Sequence, residues 1–211
     1  YHPDGPPTGM PADRPHVLHD FPHFKGALEA SERQFIARGL THKWLAVHGN
    51  HDALLQGTAV PTPELDELAQ GPAKLAGLKN MADLADLFTG FGEVGPAHYP
   101  GLDHMETNEV TADPRRALVK MQDWVNVHTN CGHDHGLDAE QPETSYWYRN
   151  IGSDLRLIAL DTVNRFGGWQ GCIHREQFEW LSHLLDESKD KYVVLTSHHP
   201  LENLFNEYVP D

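Results

Sequence analysis

The last third of the chain runs in an order that few architectures accommodate. Leu155 to Leu160 is a largely apolar run of strand length, and Asp161 ends it. Glu176 to Asp186 follows as a helix, with Gln177, Trp180, Leu181, Leu184 and Leu185 on one broad face at three- and four-residue spacings. Tyr192 to Thr196 is then a second buried strand, ending in Ser197-His198-His199-Pro200. A strand, a helix and a strand in succession pack as a sheet with a crossing helix, which is an α/β arrangement. Upstream, Tyr146 to Tyr148 pairs with 155–160 through a turn at Asn150-Ile151-Gly152-Ser153.

The first half is less regular. Residues 1–24 are rich in Pro, His and Gly and read as loop. Residues 25–39 carry helical spacing, with Leu28, Phe35 and Ile36 as expected core contacts and Gly39 as the stop. Lys43 to Val47 reads as a short buried strand that delivers His48-Gly49-Asn50-His51-Asp52 at its carboxyl end, where α/β sheets place ligands. Residues 53–145, broken by Pro61, Pro63 and Gly71-Pro72, read as a loop-rich insertion with short helices at Met81–Phe88 and Arg116–Trp124. The whole reads as one domain of 211 residues, 1–211, with that insertion inside it. Its abrupt ends, at Tyr1 and Asp211, read as cuts inside a longer protein.

Composition narrows the partners. A formal net charge of −15 disfavours binding a nucleic-acid backbone, which needs Lys and Arg to displace counterions. It disfavours an anionic membrane surface as well, and no apolar run approaches the roughly 20 residues that span a bilayer. A small phosphorylated substrate remains open to an acidic protein if metal ions supply the positive charge. The two cysteines, Cys131 and Cys172, form no CxxC pair, and they fit either one disulfide or two separate thiols. There is no P-loop and no Gly-x-Ser-x-Gly elbow.

Gly49-Asn50-His51-Asp52 carries the sharpest chemistry. Glycine permits close backbone approach. The Asn50 carboxamide oxygen is a neutral ligand for a divalent ion. His51 can donate a proton to a phosphate oxygen or leaving group, and Asp52 can orient its imidazole. An ordinary turn is the plainer reading of the same four residues. Of His198 and His199, directly after a second strand, one is the other candidate ligand, and a surface turn that contains histidines is the plainer reading of that motif alone. For Trp147, Trp169 and Tyr146 core packing is the simplest role, and for Asp161 a capping or turn role.

Together these elements resemble the calcineurin-like metallophosphoesterase superfamily, whose order is Asp-x-His, Gly-Asp-x-x-Asp/Asn, Gly-Asn-His-Asp/Glu, a His after a strand, and Gly-His-x-His. Residues 49–52 match the third element and His198 the fourth. Leu155–Thr162, followed by Gln177-Phe178-Glu179-Trp180-Leu181, is similar to the family's core strand and helix. Residues 21–57, with the run Gly-Asn-His-Asp-x-Leu-x-Gln-Gly, look like a bacterial, exported-type subfamily. This and the two cysteines lean towards a place outside the cytoplasm. The resemblance implies part of a β-sandwich flanked by helices and a dinuclear centre of divalent or trivalent ions (Mn, Fe or Zn). It implies Asn50 and His198 as ligands of one ion, His51 as the catalytic group, and Asp52 as the residue that positions it. His199 and Asp161 would support the site from behind.

The chain departs from the pattern in two ways. It contains no Asp-x-His and no Gly-Asp, which would supply the first ion's ligands. Its Gly132-His133-Asp134-His135 precedes His198 instead of following it, and reads as a loop of the insertion, with a metal or substrate contact by His133 and His135 as the other reading. The expectation is a metal-dependent phosphate mono- or diesterase that is active at full length and inactive as this piece alone. The alternative is a non-catalytic binding module on the same fold. A histidine-rich metal buffer fits less well, because the 16 histidines are scattered.

Overall fold

The computed structural model describes residues 3–6, 8–80, 104–133 and 135–206. They form a mixed α/β protein with several helices and two small sheets. The chain divides into two compact units, residues 1–42 and 43–211.

Residues 1–42 hold two one-and-a-half-turn helices, α1 (Arg14–His19) and α2 (Ala27–Glu32). Asp13 caps α1 by accepting from the His16 backbone N–H at 3.1 Å, and Pro15 sits in the first turn, where its missing donor costs nothing. The expected helix over 25–39 is shorter than its pattern: the chain turns extended at Arg33. Leu28, Phe35 and Ile36 are exposed and form no core, with Ile36 at 94%. A piece of about 40 residues has too little interior to bury such side chains, so helical spacing alone does not create a core.

Residues 43–211 are organised by a three-stranded sheet in the order β3-β4-β5, formed by Trp147–Ile151, Leu155–Leu160 and Tyr192–Ser197. β3 and β4 are antiparallel, with Trp147 opposite Ala159 and Ile151 opposite Leu155. Their turn runs over Gly152–Asp154, two residues later than expected, because Gly152 supplies the positive φ of 66°. β4 and β5 are parallel, with Leu155 beside Tyr192 and Leu160 beside Ser197. A parallel pair requires a crossover, and α6 (Arg175–Asp186) provides it, as the spacing predicted.

β4 is the buried middle strand, and its side chains alternate between two cores. Ile158 and Leu160 pack with Leu181 and Leu184 of α6. Ala159, joined by Leu157, packs on the other face with Trp147, Ala46, Trp124, Val125 and Leu137. Trp124 and Val125 belong to α5 (Met121–Thr129). Part of the segment read as an insertion is therefore core, because α5 turns one apolar face onto the sheet. The rest of that segment includes α4 (Pro63–Gln70) and an antiparallel pair, β1 (Ala73–Leu78) with β2 (Met105–Glu109). The helix expected at Met81–Phe88 lies outside the described residues. The one expected at 116–124 resolves into a 3₁₀ turn at Pro114–Arg116 and α5.

Lys43 to Val47 forms no strand and joins no sheet. Ala46 N–H donates to His135 O at 2.8 Å, and the Trp147 indole N–H donates to Ala46 O at 2.9 Å. A loop and a side chain thus do what a neighbouring strand was expected to do. Trp169, assigned to the core from sequence, is half exposed, whereas Trp147 is buried. Among the described residues no helix is long and apolar enough to cross a membrane.

Candidate metal centre

The turn after Val47 is a four-residue helix, α3 (Asn50–Ala53). Its first bonds close locally: Asp52 N–H donates to Gly49 O at 3.0 Å, and Gly49 N–H donates to Asp52 Oδ2 at 2.9 Å. The Asp52 carboxylate therefore shapes the turn backbone. The sequence assigned it to the His51 imidazole, but a carboxylate three residues beyond Gly49 is the natural cap for that N–H.

The turn fixes Asn50. Its side-chain N–H donates to Gly57 O at 2.7 Å, and a carbonyl can only accept, so the amide orientation is settled. Oδ1 is left pointing the other way, where His198 Nε2–H donates to it at 2.9 Å. Residues 148 positions apart in sequence are thus brought into contact by two independent chain turns. Asn50 is buried, while His51, Asp52 and His198 are exposed, so the pair opens to solvent.

Two glycines make room for this. A Cβ on Gly49 would lie 2.8 Å from His198 Nδ1. One on Gly57 would lie 2.5 Å from His51 Nε2 and 2.8 Å from Asn50 Nδ2, and Gly57 also has a φ of 73°. Gly57 was legible as the last residue of the Gly-Asn-His-Asp-x-Leu-x-Gln-Gly run, but its role as a seat for Asn50 and His51 needs the geometry.

His199 behaves unlike its neighbour. Its Nε2–H donates to Trp169 O at 3.1 Å. Nδ1 then accepts the Thr162 hydroxyl at 2.9 Å, while the His199 backbone N–H reaches the same oxygen at 3.3 Å. Both ring nitrogens are used, and neither lone pair is left for a metal. Burial, followed by the charge of His198, lowers its pKa, which favours this neutral ring. Gly171 lies against it, where a Cβ would come within 2.7 Å of the imidazole. His199 packs edge-on against His198, with ring centroids 4.8 Å apart, and so orients it.

Asp161 is a buried hub behind the turn. Its Oδ1 accepts from His48 Nδ1–H at 3.4 Å and from Val163 N–H at 3.0 Å. Its Oδ2 accepts from the Ser145 hydroxyl at 2.6 Å and from Arg165 Nη2 at 2.7 Å. Its backbone exchanges two bonds with the Gln177 carboxamide of α6, at 2.8 and 2.6 Å. Burial alone would raise the carboxyl pKa, but the bond and charge of His48, the Arg165 guanidinium and the Ser145 hydroxyl outweigh it. The group is held well below the usual carboxylate range. His48 Nε2 is buried without a partner, a cost of about 1–3 kcal/mol that the fold carries one residue before the turn. His48, Ser145 and Arg165 carried no sequence signal.

His133 and His135 do not join this pair. His135 Nδ1 lies 3.0 Å from Trp44 O, and its ring stacks on Trp44 at 3.6 Å. Cys131 and Cys172 are both free thiols.

No family model, curated protein or solved structure matches the chain. The reading of the site therefore rests on its donor atoms. Two donors bound to one ion at about 2.0–2.2 Å and near a right angle stand roughly 3 Å apart. Asn50 Oδ1 and His198 Nε2, at 2.9 Å, stand at that separation, which is also the length of the hydrogen bond between them. An amide oxygen and an imidazole nitrogen suit Mn, Fe or Zn. Among the described residues no group of three His, Cys, Asp or Glu side chains gathers around a common point.

Proposed function

We propose that this chain carries part of a metal-dependent phosphoesterase of the calcineurin-like type, hydrolysing phosphate mono- or diesters at a dinuclear centre. The three-stranded sheet would be part of that family's sandwich. The supporting observation is the Asn50 Oδ1–His198 Nε2 pair, held by Gly57 O on one side and His199 on the other. Asn50 and His198 would hold one ion. A pair of bound ions supplies an activated water and neutralises phosphate charge. His51, exposed at the rim, donates a proton or hydrogen bond to the phosphate or its leaving oxygen. Asp52 keeps the turn closed, and Asp161 anchors it to β4 and α6.

The test uses the full-length protein with an aryl phosphate and added Mn²⁺. Hydrolysis is expected, and Asn50→Ala or His198→Ala abolishes it while His133→Ala does not. Full activity in both Asn50 and His198 variants would remove the assignment. The isolated 211-residue chain is expected to be inactive and to bind metal weakly. A binding module without catalysis is the second reading, favoured by the lack, among the described residues, of any group of three His, Cys, Asp or Glu side chains placed to hold a metal. It predicts no hydrolysis by the full-length protein with any of the three metals.

A further inference from the structure

Cys131 follows the last turn of α5 and is exposed. Its Sγ lies 3.1 Å from His135 Nε2. The other ring nitrogen, Nδ1, faces Trp44 O at 3.0 Å. A carbonyl oxygen only accepts, so Nδ1 carries the proton, and the neutral ring presents the Nε2 lone pair to the thiol. The tautomer is set by the backbone and does not depend on the cysteine.

The ring is also held still. It is 7% exposed and stacks on the Trp44 indole with centroids 3.6 Å apart and planes 16° apart. His135 has a φ of 49°, a conformation that costs a non-glycine residue about 1 kcal/mol or more. Gly136 next to it has no room for a Cβ, which would lie 2.4 Å from the Trp147 ring. The arrangement is a nucleophile, a base within reach of its proton, and a third group that orients the base.

We propose that Cys131 is a histidine-activated thiol that exchanges with small disulfides, giving a mixed disulfide on the protein surface. His135 Nε2 takes the proton of Cys131 Sγ, and the thiolate so formed attacks one sulfur of R–S–S–R. The Cys131–S–S–R bond forms, the S–S bond of the reagent breaks, and R–S leaves with the electron pair. His135 returns the proton to it, so the products are the mixed disulfide and R–SH.

Two features define how this thiol acts. His128 O, at 3.1 Å, and His133 O, at 3.7 Å, also face Sγ, and a helix C-terminus disfavours a resident negative charge. Cys172 is the internal contrast. Its Sγ lies 3.5 Å from His174 Nε2, but it is fully buried, and burial pushes the thiol up to about 12. A neighbouring histidine without access gives no reactivity.

The test is mixed-disulfide formation on the whole chain with 2-hydroxyethyl disulfide, read by intact mass and peptide mapping at pH 7. This reagent is uncharged, so the net charge of −15 does not repel it. The folded chain is expected to take one adduct, at Cys131, about tenfold or more faster than the same cysteine in guanidinium-unfolded chain. His135→Gln, checked for folding by circular dichroism, brings the folded rate down to the unfolded one. A folded rate equal to or below the unfolded rate overturns the proposal, and that comparison needs no variant. A fast folded rate that His135→Gln leaves unchanged overturns the role of the histidine.

Discussion

The two histidine-bearing turns of residues 43–211 are built on opposite plans. At Asn50 and His198, polar atoms from two distant chain turns face each other at an open surface, with Gly49 and Gly57 leaving room beside them. At His135 the imidazole is buried under Trp44, with its Nδ1 spent on a backbone carbonyl. Both turns hold histidines, and a count of histidines ranks them alike. What separates them is what the ring nitrogens meet. His198 meets an oxygen ligand, His135 meets a thiol, and His199 meets a threonine and a carbonyl.

The largest contrast is in activity. In the full-length protein with Mn²⁺, removing Asn50 or His198 lowers turnover by at least about 100-fold, a loss larger than that of a residue behind the ligands. His133→Ala stays within about twofold, because an exposed loop side chain away from the pair contributes little. Equal losses at both turns would erase the distinction between them.

The next effect is on stability. Asp161→Asn takes the charge from a buried hub that faces the half-exposed Arg165 and the buried His48, and leaves part of its hydrogen bonding unmet, at a cost of about 1–3 kcal/mol by denaturant unfolding. The same carboxylate predicts a pH dependence. Its folded pKa lies below the unfolded value near 3.9, so its stabilisation is complete above about pH 4–5 and fades as pH falls through the folded pKa. Asp161→Asn flattens that acid limb; an unchanged limb would show that other carboxylates set it.

Smaller effects test the seating of Asn50. Gly57→Ala carries the strain of a positive φ, about 1 kcal/mol or more, and pushes on Asn50 and His51. It should therefore lower activity more than its stability loss alone explains. Asp52→Ala removes a turn-closing bond worth about 1 kcal/mol, and its activity loss is rescued in part by Asp52→Asn, which can still accept from Gly49 N–H.

The contrast between turns also marks what the sequence could disclose. β4, α6 and β5 were legible as elements because their apolar residues recur with the period of the element; β4 is buried, whereas β5, read as a buried strand, is an outer strand of its sheet and leaves Tyr192, Val194 and Leu195 exposed. Leu28, Phe35 and Ile36 have the same kind of spacing and lie exposed, since a pattern names a face without naming what covers it. Lys43–Val47 has strand composition, yet its backbone partners are a loop carbonyl and an indole, and composition does not encode partners. Asn50 and His198 could be paired from sequence only through a family order. His48, Ser145 and Arg165 could not be found at all, because a hub such as Asp161 collects residues by folding and not by spacing.

The central claim is that Asn50 and His198 act as one ligand pair. Titration of Mn²⁺ into the chain, followed by electron paramagnetic resonance of the free ion, tests it most directly. Weak binding is expected in the wild type. Asn50→Ala and His198→Ala should each lose it to the same extent, and the double variant should lose no more, because two donors on one ion do not act additively. Binding that survives both substitutions and disappears with His133 and His135 instead would place the metal at the other turn and contradict the account.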